Sequence, residues 1–267
     1  CQEAQCPIIF DCWNRRTATF MILVDVCSRS CLFCAVTSGR PVELDIGEPL
    51  RVAASVAQLR LRHAVVTSVD RDDLRDGGAS IFAATIRAIR RQSPGTSVEV
   101  LTPDFQGDPE AIATVVEAGP DIFNHNTETV PRLYRRIRPK AVYERSLGLL
   151  RRVKELDPEM VTKSGLMVGL GETRGELLQV FRDMRAHDID VLTVGQYLRP
   201  TPKHAPVERY YEPREFGELK EAALAMGFEH VESGALVRSS YHADEQIPTH
   251  RQRELEGRAS RRMAQAG

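Results

Sequence analysis

All six cysteines of this chain fall within its first 34 residues, at Cys1, Cys6, Cys12, Cys27, Cys31 and Cys34, and none follows. A disulfide framework spreads its cysteines over the elements it ties together. A chain of 267 residues also buries a full core without such staples. Zinc sites are an alternative, but the spacing Cys27-x3-Cys31-x2-Cys34 lacks the paired C-x2-C knuckles usual for that metal. Incidental core thiols would be scattered along the chain rather than crowded at one end.

A [4Fe–4S] cubane has four irons and takes four ligands, usually thiolates. Three cysteines therefore leave one iron open to chelate a small molecule through an amine and a carboxylate. The second triplet follows a strand-like run, Thr17 to Val24, and precedes a loop containing Gly39 and Pro41. That placement resembles the signature of radical S-adenosylmethionine (SAM) enzymes. In them an electron from the cluster cleaves the sulfonium to a 5′-deoxyadenosyl radical, which abstracts hydrogen from unactivated C–H bonds. The first triplet, Cys1-x4-Cys6-x5-Cys12, suggests a second cluster whose fourth ligand is not cysteine. A Ser, His, Arg or a substrate must fill that place. Arg238-Ser-Ser-Tyr-His242 is the polar cluster that stands out, with a turn carrying two solvated hydroxyls as its plainer reading.

The remainder reads as a βα repeat. Apolar, β-branched runs recur at Ala18–Val24, Ala64–Ser68, Val98–Thr102, Asp121–Asn124, Gly165–Leu170 and Val191–Tyr197. Helical patterns lie at Pro49–Leu61, Ala79–Arg90, Glu110–Glu117, Ser146–Leu156 and Thr173–Arg185, the last opening on a Thr suited to capping. A further helix, Pro213–Met226, and a short strand, Phe228–Val231, follow the loop Pro200–Pro206. Alternation of this kind implies a parallel sheet with right-handed crossovers. The expected class is α/β, a partial (βα)6 TIM-type barrel. Its expected divisions are a cluster-binding extension at 1–16, the barrel at 17–200, a C-terminal segment at 201–243 and a charged tail at 244–267.

In such barrels chemistry sits at the carboxyl ends of the strands. Polar residues gather there, at Thr67–Asp73, Thr102–Asp104, Asn124–Glu128, Gly169–Glu172 and Gln196–Tyr197. Hydrophobic residues make up 42% and charged residues 27%, which excludes wholesale disorder, collagen and coiled coil. With 36 Lys and Arg against 37 Asp and Glu, no electrostatic footprint for nucleic acid is indicated. No apolar run approaches the ~18 residues of a membrane span, and no signal peptide is visible. The chain opens on Cys1 and reads as a fragment or processed product.

Several segments together resemble lipoyl synthases over roughly residues 1–243. They are the two cysteine triplets, VTSVDRDDLRDGGA, VEVLTPDF, FNHN-x-ETVPRLY, TKSGLMVGLGET, LTVGQYLRPT and LVRSSYHA. The resemblance implies a radical-SAM partial barrel, two [4Fe–4S] clusters and SAM. Cys27, Cys31 and Cys34 would hold the SAM cluster. Cys1, Cys6 and Cys12 would hold an auxiliary cluster, with Ser240 as first choice of fourth ligand, Ser239 as second, and Arg238 stabilising the serine oxygen. That cluster would be consumed to place two sulfurs at C6 and C8 of an octanoyl chain carried on a lysine. Ser68, Asn124, Asn126, Glu128 and Lys163 are the SAM-pocket candidates, and Gly165–Gly169 near Glu172 resembles the strand on which adenine lies.

The implied partners are an octanoylated carrier domain (2-oxoacid dehydrogenase E2 or glycine-cleavage H protein), a reductant such as ferredoxin or flavodoxin, and a cluster-delivery protein. No nucleic-acid or membrane partner is expected. The basic set Arg132, Arg135, Arg136, Arg138 and Lys140 is a candidate face for an acidic carrier. The implied compartment is the bacterial cytoplasm, with the mitochondrial matrix open. Phe10 and Arg16 stand where the family pattern has glycine, and Thr127 where it has an apolar residue. Two other readings stay open: another radical-SAM sulfurtransferase, biotin-synthase-like or methylthio-transferring, and a non-catalytic iron–sulfur carrier.

Overall fold

The structure is a computed structural model and describes residues 8–247 and Leu255. Cys1, Cys6 and nearly all of the tail beyond 247 lie outside the described residues. A short helix, α1 (Ile9–Asn14), leads into β1 (Thr17–Ile22). Two two-residue strands, β2 (Val26–Cys27) and β3 (Thr37–Ser38), then pair with each other. The main alternation follows as α2 (Glu48–Gln58), β4 (His63–Ser68), α3 (Ala79–Gln92), β5 (Ser97–Leu101), α4 (Pro109–Glu117) and β6 (Ile122–Asn124). It continues with α5 (Tyr134–Ile137), α6 (Tyr143–Leu156), β7 (Val161–Val168), α7 (Arg174–Ala186), β8 (Val191–Gln196), α8 (Pro213–Ala225) and β9 (His230–Gly234).

The sheet is entirely parallel, in the order β1-β4-β5-β6-β7-β8-β9. It has seven strands where the sequence gives a six-stranded barrel. The short run near Val231 pairs in register with β8 instead of standing apart. The helices follow their apolar periodicity and bury one face. Ile81, Phe82, Ile86 and Ile89 of α3 and Leu147, Leu150 and Val153 of α6 all enter a single core. Thr173 caps α7 through a reciprocal capping box with Glu176.

The sheet is open, because β1 and β9 are its unpaired edges, yet it curls strongly. Laid flat, its edges would stand close to 30 Å apart at about 4.8 Å per strand. Instead Cys12, just before β1, lies with its sulfur 3.8 Å from the hydroxyl of Ser240, just after β9. Arg15 and Asp244 form a second tie across the same seam, at 2.9 and 3.1 Å.

Three strand boundaries depart clearly from the hydrophobic pattern, β9 running from His230 to Gly234 rather than from Phe228 to Val231. β1 ends at Ile22 rather than Val24, because Leu23 and Val24 both have left-handed backbone, φ 67° and 66°. That conformation is strained for a branched residue; the Glu48 carboxylate accepts the Leu23 N–H at 2.8 Å and fixes the turn. β7 begins at Val161 and ends at Val168, because Gly169 turns the chain at φ 98°.

The residues that replace family glycines behave differently from one another. Phe10 sits inside helical α1, 75% exposed and edge-on to Trp13, so a side chain is tolerated there. Arg16 holds a left-handed φ of 57°, which costs a non-glycine residue roughly 1–2 kcal/mol. The greater freedom of glycine in the unfolded chain offsets part of that cost. Arg16→Gly is therefore expected to stabilise the protein by about 0.5–1 kcal/mol. Thermal melting of the metal-free protein tests this, and an unchanged or lower midpoint contradicts it. Thr127 places its hydroxyl 2.6 Å from that of Ser164, so this polar replacement is satisfied in the core.

Candidate active site

The loop carrying Cys27, Cys31 and Cys34 crosses the carboxyl rim of the sheet and is tied down on every side. Cys27 belongs to the β2–β3 ladder. Leu32 donates to the Ile137 carbonyl at 2.8 Å, and Ala205 donates back to the Leu32 carbonyl at 2.9 Å. His204 lies 3.0 Å from the Cys34 carbonyl, and Lys140 donates to the Ser28 carbonyl at 2.7 Å. At the loop's centre Arg29, 4% exposed, makes a bidentate pair with Asp72 at 2.8 Å and contacts Asp70 and Asp104. Burial pushes the Asp104 carboxyl up, but Arg29 more than reverses this and holds it well below the usual carboxylate range.

A cavity of about 630 Å3 opens beside this loop, within the roughly 300–1,000 Å3 of small-molecule sites. All three sulfur-bearing residues line it. Among the described residues, no group of three His, Cys, Asp or Glu could hold a single metal ion. A cubane makes a different demand, since each thiolate binds its own iron and the sulfurs stay apart. Burial pushes the Cys31 thiol up to about 12, and those of Cys27 and Cys34 up as well. Such thiols bind iron with release of their protons, and the metal's charge replaces the water that burial removed. Three half-buried thiols facing one roomy cavity fit a cluster with an open iron.

Of the SAM-pocket candidates, Ser68, Asn126 and Glu128 line this cavity. Glu128 has left-handed backbone, φ 66°, and is held on the edge of β7 by its N–H to the Gly165 carbonyl and its carbonyl to the Met167 N–H, both 2.9 Å. A strained residue clamped at a cavity wall is typical of a functional position. Burial pushes its carboxyl above the ordinary range, opposed by Arg138 and by a hydrogen bond from Asn126 at 3.1 Å. Gly165 leaves room beside them, since a Cβ there would lie 2.6 Å from the Thr193 hydroxyl and 2.8 Å from the Asn126 oxygen.

Asn124 and Lys163 lie elsewhere. Both are fully buried within the sheet's curve and neither lines the cavity. Their partner is Glu99 on β5, which accepts from Asn124 at 2.8 Å and pairs with the Lys163 ammonium at 3.1 Å. Arg238 does line the cavity, and its guanidinium folds back to the Val237 carbonyl at 2.6 Å.

The two serines face different ways. Ser239 lines the cavity and accepts from Asn126 at 2.9 Å. Ser240 is buried against Cys12. Burial pushes the Cys12 thiol up, a shift that hydrogen bonding to Ser240 opposes. Cys1 and Cys6 lie outside the described residues.

Of the basic set, Arg132, Arg135, Arg136 and Lys140 lie on the surface and Arg138 does not. Arg132 pairs with Glu176 at 2.7 Å and Arg136 with Glu208 at 2.8 Å, while Lys140 is engaged by Ser28. Arg138 turns inward, 7% exposed, and donates to the Asn126 and Thr127 carbonyls at 3.0 Å. It lines the cavity between Cys31 and Glu128, which both feel its charge. This residue was missed as a cavity group because a run of basic residues reads as one solvated face. The short helix turn α5 rotates it away from its neighbours.

Residues 21–184 match the Radical SAM superfamily. The lipoyl synthase of Rubrobacter xylanophilus is 65% identical over 246 residues, covering 92% of this chain and 77% of that protein. The lipoyl synthase of Symbiobacterium thermophilum is 63% identical with the same coverage. The chain belongs to the lipoyl synthase family. Among solved structures, methylornithine synthase (PylB) superposes with a TM-score of 0.60 at 16% identity, covering 91% of this chain and 82% of that one. Streptococcus suis SuiB bound to S-adenosylmethionine gives a TM-score of 0.64 at 10% identity, covering 82% and 51%. These two likenesses concern the fold.

His125 lines the same cavity with both ring nitrogens engaged, one by the Thr102 carbonyl at 2.8 Å and the other by the Ser146 hydroxyl at 3.1 Å. Burial holds its pKa down to about 4. The unfolded chain, with histidine near 6.5, binds the proton first, so stability is full above 6.5 and falls as pH drops toward 4. This residue alone is expected to remove about 1–3 kcal/mol over that window. Urea midpoints compared at pH 7 and 5 should fall less in His125→Gln than in the unaltered protein. Parallel pH dependence in the two proteins rejects the assignment.

Proposed function

We propose that this chain inserts two sulfur atoms at C6 and C8 of an octanoyl chain carried on a lysine of an acceptor domain, using two iron–sulfur clusters. Family membership carries the activity. The single observation that supports the two-cluster reading is the meeting of Cys12 and Ser240 across the open seam, beside a cavity lined by Cys27, Cys31 and Cys34. When bound, the clusters and SAM supply a carbon-centred radical and the sulfur that quenches it.

The chain's own residues have definable tasks in this reading. Cys27, Cys31 and Cys34 hold the SAM cluster. Glu128 and Arg138 offer opposite charges on the cavity wall, suited to the amine and carboxylate of an amino acid. Ser68 and Asn126 offer hydrogen bonds, and the Gly165–Met167 segment, with no side chain at Gly165, offers a cavity-lining strand face for a flat base. Met21, Phe33, Leu101, Leu166 and Leu198 make a largely apolar wall. Such a wall suits an alkyl chain and excludes water from a reactive intermediate. Cys12 and Ser240, with Cys1 and Cys6, hold the sacrificial cluster. A serine alkoxide exchanges more readily than a fourth thiolate, which suits a cluster that is dismantled. An electron carrier needs no cavity of this size beside its cysteines, which disfavours the non-catalytic reading.

An octanoylated carrier domain is the protein substrate, and a low-potential reductant and a cluster-delivery protein complete the cycle. The setting is a reducing compartment such as the bacterial cytoplasm, in keeping with unpaired thiols. Among the described residues no helix is long and apolar enough to cross a membrane.

Anaerobically reconstituted protein should hold about eight irons and cleave SAM under reduction. Mass spectrometry of an octanoyl-lysine peptide after turnover should show two added sulfurs. Ser240→Ala should retain SAM cleavage and lose sulfur insertion on the order of 10–100-fold. Four irons, or full product formation after both Ser239→Ala and Ser240→Ala, would remove the sacrificial-cluster reading.

A further inference from the structure

Lys163 and Glu99 form an ion pair in the sheet's interior, fully buried. Removing two charges from water is costly, and apolar residues of similar volume often serve stability as well or better. A pair kept at such a place invites the question of what else it holds. An ammonium has three donor hydrogens. The Glu99 oxygens lie 3.1 and 3.2 Å from the Lys163 nitrogen, and the remaining partner is the backbone carbonyl of Ser239. Glu99 is itself anchored by Asn124 at 2.8 Å and has the His63 ring 3.5 Å away. Burial raises the Glu99 carboxyl, but Lys163, His63 and Asn124 together hold it below the usual range, while burial lowers Lys163 against the opposing pull of Glu99.

The same short segment is pinned twice more. Asn126 donates to the Ser239 hydroxyl at 2.9 Å. The Val237 carbonyl passes so close over β8 that a Cβ at Gly195 would lie 2.2 Å from it. With the Val237 and Ser239 carbonyls and the Ser239 hydroxyl all committed, Ser240 is left directed at Cys12.

We propose that Lys163 is a positioning residue: anchored on Glu99, its ammonium holds the Ser239 carbonyl so that Ser240 presents its hydroxyl toward Cys12 and the auxiliary cluster. The proposal rests on the reading of Ser240 as a cluster ligand. It assigns the lysine to the auxiliary site rather than to SAM.

The test compares full-length reconstituted Lys163→Met/Glu99→Gln with the unaltered protein and with Ser240→Ala. Replacing both members avoids leaving a buried carboxylate unpaired. Two readouts independent of turnover are the rate at which a chelator strips auxiliary iron and the Mössbauer signature of the serine-bound iron. Auxiliary iron should be lost on the order of 10–100-fold faster than from the unaltered protein. The Mössbauer change should match that of Ser240→Ala, while KM for SAM in the cleavage assay stays as it was. Gly195→Ala, which pushes on the same segment from β8, should give the same auxiliary-cluster changes without touching the ion pair. Unchanged chelation and spectrum in the double variant overturn the proposal, as does a raised KM for SAM with an intact auxiliary signature. Failure of the underlying reading looks different: Ser240→Ala itself would then match the unaltered protein in both readouts.

Discussion

The rim of this molecule depends on one buried guanidinium. The loop between Cys27 and Cys34 has no long element of its own, only the two-residue β2. Arg29, within that loop, reaches Asp70 and Asp72 after β4 and Asp104 after β5. Three carboxylates around one cation would repel one another without it. Removing a partner from such a buried set typically costs about 3–5 kcal/mol, because the remaining charges are left uncompensated. The three cysteines are thus carried on a loop whose position is set by charge, with backbone hydrogen bonds to the Ile137 carbonyl and from the Ala205 N–H closing the other side. Rigid presentation suits such a trio of thiols, whose mutual spacing a bound cluster would require to be fixed.

Curvature then decides what else reaches that rim. Because the seven-stranded sheet curls, residues before its first strand and after its last come within contact. Asn126 sits where the two regions join, donating both to Glu128 on the cavity wall and to Ser239 in the segment that ends at Ser240. Ser239 and Ser240 are adjacent in sequence yet serve opposite sides of that segment. One side faces the cavity and the other faces Cys12. Under the proposed two-cluster reading, that segment is the wall the two sites would share.

Much of this was legible beforehand. The alternation of apolar strands and amphipathic helices needs only periodicity, and α2, α3, α4, α6, α7 and α8 all lie where their apolar faces indicate. Cys27, Cys31 and Cys34 stand out by spacing, and the fold brings all three to one cavity. Three features stayed hidden for definite reasons. Val24 looks like strand, yet its left-handed backbone is set by tertiary contacts of the neighbouring turn. Lys163 interrupts an apolar run, so β7 seemed to start later than it does. A charged residue inside a sheet is expected only when its partner is known, and Glu99 is far away in sequence. Arg138 sits among exposed cations, and only its burial separates it from them.

The interior pair also bears on why the sheet is not simply filled with aliphatic side chains. Branched apolar residues would pack its concave side well and would specify no position for the chain crossing its mouth. A carbonyl held by a fixed ammonium is a directional contact, and it acts at one residue rather than over a surface. Glu99 is fixed by Asn124 on the neighbouring strand, so the direction originates in the hydrogen-bonded ladder between β5 and β6. From there it passes through Lys163 on β7 to the Ser239 carbonyl. Strand register, the most rigid property of a parallel sheet, is thereby transmitted to a segment that has no regular structure of its own. On this view the buried charges are retained for geometry, at some cost to stability.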